Sequence, residues 1–383
     1  MMYQFSFRNP TRIEFGVDKE KNIGAYMQEF GVKKALIVYG SERIKQSGLF
    51  DDVVASLKTH GIEFVAFGGI KSNPILSKVN EAIEVARQNG VDSVLSIGGG
   101  SCLDSAKAIA AGVLYEGDVW DFFVGKAEIE KNLPVFDIMT LAATGSEMNN
   151  GGVVMNEQTQ QKYPIYGADL YPKVSVINPK LQATVSRDYL VYSAADIIAH
   201  SIEGYFTASV QPELINMQIE ANIKTVIRTT EILLENPNDL DARGEFAWAA
   251  TMALNGLTYV GTFGATFPNH MIEHALSAIC DVPHGAGLSV VMPAWMTWYK
   301  DQNRPQFERF AREIFGLQSA EEGIAALKAW FDKIGTPTTL SKLGVNDEQL
   351  AAVIDNAVQN AIDWQMSETY TKAAITKVFD LAK

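Results

Sequence analysis

The chain has 383 residues, 47% of them hydrophobic, with 32 basic and 45 acidic side chains and a net charge of −13. That length exceeds one ordinary domain and allows two sizeable cores, while the acidic balance disfavours nucleic acid or an anionic membrane as partner. Two distant cysteines, Cys102 and Cys280, form no C-x-x-C site, and the start Met1-Met2-Tyr3-Gln4-Phe5 lacks a secretory pattern, so a soluble cytoplasmic protein is expected.

In chain order, Phe5–Phe7 and Arg12–Phe15 read as a β-rich start that could pair with a second copy of the chain. Ala35–Tyr39 is a short apolar run ending at Gly40, a buried strand in pattern, and helical spacing follows over 47–60. Glu63–Phe67 predicts a second strand stopped by Gly68-Gly69, and a helix over 75–89 leads to a third at Ser93–Ile97. A helix over 103–111 and a strand at Val135–Met139 continue the alternation. Strand and helix in units of about 30 residues argue for a parallel sheet with crossover helices. From Ser186 onward the period is helical, over 188–208, 212–235, 241–259, 268–279, 318–334 and 347–361, with Pro237, Pro283, Pro305 and Pro337 at boundaries. The expectation is an α/β domain over 1–183 and an all-helical domain over 184–383. No run approaches the roughly 18 apolar residues of a membrane span.

The third strand runs directly into Gly98-Gly99-Gly100-Ser101-Cys102-Leu103-Asp104. Glycines between a buried strand and a helix let backbone amides approach a phosphate, and the helix N-terminus adds partial positive charge. Oriented amides would reconcile an anionic ligand with an acidic chain. Leu103 stands where G-x-G-x-x-G would need glycine, and a tight strand-to-helix turn explains the same residues. Thr140-Leu141-Ala142-Ala143-Thr144-Gly145-Ser146-Glu147 offers small hydroxyls beside glycine, suited to a cofactor channel or to an ordinary helix cap.

Four of the five histidines fall between 200 and 284. Asp196 and His200 form an i,i+4 pair, as do His270 and His274, while His284 follows Pro283 at a helix boundary. One carboxylate with two or three imidazoles suits Zn²⁺ or Fe²⁺ with a position left for substrate. Spacing alone makes His274 as good a ligand as His270.

The ordered motifs GGGSxxD, TxxATGSE, DxxxH, HxxxH and HG resemble those of the iron-containing alcohol dehydrogenases, and within them the NADPH-dependent butanol dehydrogenase and broad-range aldehyde reductase branch. The likeness runs from Asn9-Pro10-Thr11-Arg12 to the C-terminus, with Phe67-Gly68-Gly69-Ile70, Asn73-Pro74 and Trp248-Ala249-Ala250-Thr251 adding to it. It implies a dehydroquinate synthase-like fold, with an α/β dinucleotide-binding domain and an all-α metal-binding domain. By resemblance the metal ligands are Asp196, His200, His270 and His284, and His274 lies near the nicotinamide as a catalytic proton relay. Gly98, Gly99, Gly100 and Ser101 would hold the pyrophosphate with Asp104 in the same loop. Thr140, Thr144, Asn149, Lys162 and Leu181 would line the cofactor, together with Asn73 and Pro74. Phe267, Asn149 and Asn150 are candidates for the substrate pocket.

At the end of the strand Leu36–Tyr39 an acidic residue would bind the adenosine ribose and repel a 2′-phosphate. Here Gly40-Ser41 follows, with no acid before Glu42 and with Arg43 and Lys45 nearby. NAD-preferring members tend to carry Asp in place of Gly40, so NADPH is expected over NADH. The branch has several glycines at this point and this chain has one. The implied reaction reduces aldehydes to primary alcohols by hydride transfer, in a homodimer. The alternatives are an NAD-dependent polyol or glycerol dehydrogenase of the same fold and a metallohydrolase, which leaves the glycine loop without a task. An eliminating enzyme of the dehydroquinate synthase kind would need more basic residues in the helical half. A non-catalytic binding protein leaves the metal donors unexplained.

Overall fold

The computed structural model describes residues 2–383. The described chain divides into two compact units, Arg8–Val185 and Ser186–Lys383, and residues 2–7 belong to the second. The unit boundary therefore falls two residues beyond the expected one. Phe5–Phe7 forms no strand; instead the Tyr3 amide donates to the Gly261 carbonyl at 2.8 Å, and Tyr3 packs on Phe263 with ring centroids 4.6 Å apart.

The first unit is built on a parallel sheet of β1 (Arg12–Phe15), β2 (Lys34–Tyr39), β3 (Glu63–Phe67), β4 (Ser93–Gly98), β5 (Val135–Met139) and β8 (Val174–Ile177), with β6 (Gly151–Asn156) and β7 (Gln161–Tyr166) forming a separate antiparallel hairpin. Strand order is β1-β8-β5-β4-β2-β3. The longer helices are α1 (Ile23–Glu29), α2 (Leu49–Thr59), α3 (Leu76–Asn89) and α4 (Gly100–Val113). Side chains alternate across each strand, so Ala35, Ile37 and Tyr39 pack with α1 and α2 while Leu36 and Val38 pack with α3 and α4. Both faces are covered, which is why the central strands read as unbroken apolar runs rather than alternating ones.

The hairpin and β8 are not evident from sequence pattern. Gly151, Gly152 and Pro164 are poor strand formers, and their reason is tertiary. A Cβ on Gly152 would stand 3.2 Å from the Asp104 backbone, because the hairpin lies against α4.

A buried lysine organises this contact. Lys107, fully inaccessible, donates to the Ser146, Asn149 and Gly151 carbonyls at 2.7, 2.9 and 2.7 Å, and to Ser146 Oγ and Asn149 Oδ1 at 2.9 and 3.1 Å. Asp104, one turn earlier on α4, accepts from Ser146 Oγ at 2.7 Å and from the Val153 amide at 3.0 Å. Together they clamp the turn after β5 and the start of β6 to one helix. Burial lowers the Lys107 ammonium to about 8 against the pull of Asp104.

The helical unit contains α5 (Arg187–Thr207), α6 (Glu213–Glu235), α7 (Leu240–Leu254), α8 (Pro268–Cys280), α9 (His284–Tyr299), α10 (Arg304–Phe315), α11 (Ala320–Ile334), α12 (Asp347–Asp363) and α13 (Lys372–Leu381). Helices α5 and α9 are buried almost all round, which places them at its centre. The helix expected over 241–259 breaks at Leu254 into a turn and a short 3₁₀ segment at Leu257–Tyr259, because Asn255-Gly256 supplies the left-handed glycine that ends α7. Among the described residues no helix is long and apolar enough to cross a membrane.

Replacing Lys107 by Met leaves buried Asp104 without its counter-charge and the Ser146, Asn149 and Gly151 carbonyls without their donor. We expect a loss of about 3–5 kcal/mol, read as an earlier unfolding transition in urea.

Candidate active site

Strand order reverses between β2 and β4: the chain runs outward from β2 to β3, then returns to the other side of β2. In open α/β sheets the crevice beyond the carboxyl ends of such strands is where ligands bind. Gly40 and Ser41 follow β2 there, and Gly98–Ser101 joins β4 to α4. The glycines are needed for packing as well as for any ligand. A Cβ on Gly100 would lie 2.3 Å from Thr144 Oγ1, and one on Gly98 2.5 Å from Cys102 Sγ. No side chain caps the first turn of α4, and a helix N-terminus without a side-chain cap offers the amide donors an anion wants.

The other expected cofactor residues gather around this end of the sheet, in differing roles. The Thr140 amide donates to the Gly98 carbonyl at 2.8 Å, and Thr144 Oγ1 accepts from the Ser146 amide at 3.2 Å. Lys162, buried on β7, donates to Asn73 Oδ1 at 3.3 Å, and the Pro74 carbonyl accepts from the Met155 amide at 2.8 Å. Ser101 Oγ donates to the Ser72 carbonyl. Asp104 and Asn149 are engaged in the Lys107 network, and Leu181 packs against the core on the α1–α2 face of the sheet.

The metal-binding candidates lie wholly in the helical unit. Asp196 and His200 sit one turn apart on α5, His270 and His274 one turn apart on α8, and His284 opens α9. Gly285 permits that last approach: a Cβ there would lie 2.0 Å from the Tyr192 carbonyl oxygen on α5. Asp196 Oδ1 is the meeting point, 3.5 Å from His200 Nδ1, 3.6 Å from His270 Nε2 and 3.6 Å from His284 Nε2. These separations are too long for hydrogen bonds. Yet donors about 2.1 Å from one tetrahedral ion stand about 3.4 Å from each other, close to these three separations; the donor atoms of Asp196, His270 and His284 all lie within 4.8 Å of one another, and His200 stands outside that grouping, joined to it through Asp196. Asp196 Oδ1, His200 Nδ1 and His270 Nε2 are buried with no hydrogen-bond partner. Converging, inaccessible and unpaired donors of this kind fit a divalent cation.

The close packing of these groups perturbs their electrostatics strongly. Burial would raise the Asp196 carboxyl, but the imidazoles of His200, His270 and His284 hold it well below the usual range. Burial pushes His200 down to about 3, whereas Asp196 and Glu203 outweigh burial at His270 and push it up to about 9. His274 is buried 6.3 Å from His270 and 5.6 Å from His284 between ring centroids, with Trp364 edge-on at 5.3 Å. It falls in a second grouping, Glu273, His274 and His284, whose donor atoms also lie within 4.8 Å of one another. Phe267 flanks His270 at 5.9 Å and stacks on Tyr259 at 5.4 Å, while Tyr259 Oη donates to the His200 carbonyl at 3.0 Å.

Two participants escape a reading by spacing. Glu203 Oε1 lies 2.8 Å from His270 Nδ1, and Glu273 Oε2 is bonded to His284 Nδ1. Both carboxylates are fully buried. The available signal was an acid three residues beyond a candidate ligand in each case, on the same helical face.

The iron-containing alcohol dehydrogenase model matches residues 10–179, and the C-terminal model of the Fe-containing alcohol dehydrogenase family matches residues 190–382. The chain belongs to this family. It is 35% identical to NADH-dependent butanol dehydrogenase A of Clostridium acetobutylicum, with 94% of each chain covered. It is 30% identical to the NADPH-dependent aldehyde reductase YqhD of Escherichia coli, with 96% of each covered. The crystal structure of NADH-dependent butanol dehydrogenase A from Thermotoga maritima superposes with a TM-score of 0.96 at 45% identity, covering 100% of this chain and 99% of that one. The sheet unit followed by the helical unit is thus the dehydroquinate synthase-like arrangement, and the protein is an NAD(P)-dependent oxidoreductase of alcohols and aldehydes. The family uses a nicotinamide cofactor with iron or a similar divalent metal, and the donor set around Asp196 suits one.

His270→Ala should cost more metal affinity than the roughly 10–100-fold that loss of a supporting partner costs. Elemental analysis of the purified variant should show depleted metal, with turnover lost in parallel.

Proposed function

We propose that the protein reduces aldehydes to primary alcohols, with Asp196, His200, His270 and His284 holding one Fe²⁺ or Zn²⁺. The observation that carries this reading is the convergence of three imidazole nitrogens on Asp196 Oδ1, all 3.5–3.6 Å away. When bound, the cation supplies Lewis-acid polarisation of the carbonyl, and the dinucleotide supplies hydride. The protein's own part is placement. The Gly98–Ser101 turn and the first turn of α4 offer amides to the pyrophosphate, Thr140, Thr144, Asn73, Pro74 and Lys162 surround that end of the sheet, and Leu181 lines it. Asp104 and Asn149 act from behind, through Lys107, by holding the Thr144 turn in position. His274, buried beside the metal ligands, delivers the proton that the product oxygen takes up. Phe267 and Trp364 give the pocket apolar walls, and since one methylene in such a pocket is worth about 1–3 kcal/mol, selectivity among short aldehydes would be weak.

NADPH is the proposed hydride carrier, with NADH also accepted. Support comes from Gly40-Ser41 at the end of β2 and from the engagement of the nearest acid. Glu42 accepts from Tyr39 Oη at 2.9 Å and pairs with Lys45 at 2.8 Å. A preference for NADH is the second reading, favoured by the relatives from C. acetobutylicum, Bacillus subtilis and T. maritima described as NADH-dependent. The homodimer is proposed from the exposed run Met2, Tyr3, Phe5 and Phe7 beside exposed Phe263, an apolar patch of the kind that marks an interface. Light scattering should give twice the chain mass, and a monomer at micromolar concentration would dismiss it.

Absorbance of NADPH should fall on adding butanal and stop falling after chelator treatment; an unreactive enzyme with every aldehyde tried would sink the reading. His274→Ala should keep its metal while kcat drops by about 10²-fold or more and the pH profile loses one limb. For cofactor choice, kcat/KM with NADPH should exceed that with NADH, and a ratio below one assigns the enzyme to NADH.

A further inference from the structure

Histidine has two ring nitrogens, and a metal can use only the one whose lone pair is free; the partner of the other nitrogen decides which that is. At His270 the nitrogen facing Asp196 is Nε2, and Nδ1 meets Glu203 Oε1 at 2.8 Å. At His284 the arrangement repeats, with Nε2 toward Asp196 and Nδ1 bonded to Glu273 Oε2. His200 differs, presenting Nδ1 to Asp196.

Neither glutamate is a chance neighbour. Glu203 comes from α5 and receives four donors from the start of α8: the Asn269 amide at 3.3 Å, Asn269 Nδ2 at 3.0 Å, the His270 amide at 2.9 Å and His270 Nδ1. It satisfies the open amides of a helix N-terminus and the imidazole of a ligand at once, so the helix start and the ring are locked together. Glu273 is held in turn by Ser277 Oγ at 2.5 Å, and Gly287 of α9 leaves room for it, since a Cβ there would stand 2.6 Å from Glu273 Oε1.

We propose that Glu203 and Glu273 are positioning residues that keep His270 and His284 as Nδ1–H tautomers, so that both present Nε2 to the metal, and that their negative charge strengthens both imidazoles as ligands. This rests on the metal reading above. It adds a requirement for charge and not merely for shape. Glutamine at 273 preserves size and an acceptor for His284 Nδ1–H, and the Ser277 hydroxyl can rotate to accept from the new amide. Glutamine at 203 sets an amide donor against the donors of Asn269, a harsher change that puts folding at risk. Glu273→Gln is therefore the principal variant.

The test measures zinc affinity of the full-length protein by chelator competition, beside thermal unfolding of the zinc-saturated form. Glu273→Gln should bind zinc about 10–100-fold more weakly with its saturated melting temperature close to wild type, and Glu203→Gln at least as weakly. A Glu273→Gln protein that binds zinc within threefold of wild type overturns the proposal. A wild-type chain that binds no zinc overturns the metal reading itself, so the two failures are distinct. Nitrogen-15 histidine spectra of the zinc-loaded wild type need no variant. His270 and His284 should carry their protons on Nδ1 and His200 on Nε2. Protons on Nε2 of His270 or His284 would also overturn the assignment.

Discussion

Asp196 Oδ1 is the point on which the helical unit depends. One carboxylate oxygen faces three imidazole nitrogens at distances suited to ligands of a common ion and too long for hydrogen bonds. Inaccessible polar atoms left unpaired are costly, and Asp196 Oδ1, His200 Nδ1 and His270 Nε2 are three of them. Much of the surrounding packing serves that convergence. Helix α5 is buried nearly all round, α9 crosses it at Gly285 with no room for a side chain, and the start of α8 is tied to α5 through Glu203. These side chains come from three helices, one or two from each, and all three are largely buried.

The sheet unit meets a different constraint with similar means. An acidic chain must hold an anionic dinucleotide without a basic surface. The start of α4 carries no side-chain cap, and Lys162 is a buried cation on the hairpin beside Asn73, local features that suit an anion. The close approach of Gly100 to Thr144 and of Gly152 to α4 brings the strand ends and the hairpin against one helix, with Lys107 as the common tie. Residues that would be taken for ligand contacts from their position in a motif, Asp104 and Asn149 among them, are engaged in holding that arrangement.

Some of this was legible in advance and some was not. The central strands were evident because a strand buried on both faces is a short apolar run bounded by glycine. The β6–β7 hairpin was hidden because glycine, lysine and proline fill places where the local rule expects branched or aromatic residues. Phe5–Phe7 showed the reverse failure: the start read as β-rich, but Phe5–Phe7 forms no strand, and it is the Tyr3 amide that bonds the Gly261 carbonyl.

The donor chemistry, the i,i+4 pairs of α5 and α8, and the glycine turn between strand and helix were all readable from residue order. Those are features of period and residue type, which act over a few positions. How the helices and strands pack sets the rest: that the ends of β2 and β4 are neighbours, that His284 meets Asp196, and that Glu203 and Glu273 reach Nδ1 of His270 and His284. The Glu203–His270 contact spans 67 residues. Spacing along a chain carries no information at that range, because such contacts are set by how whole helices pack.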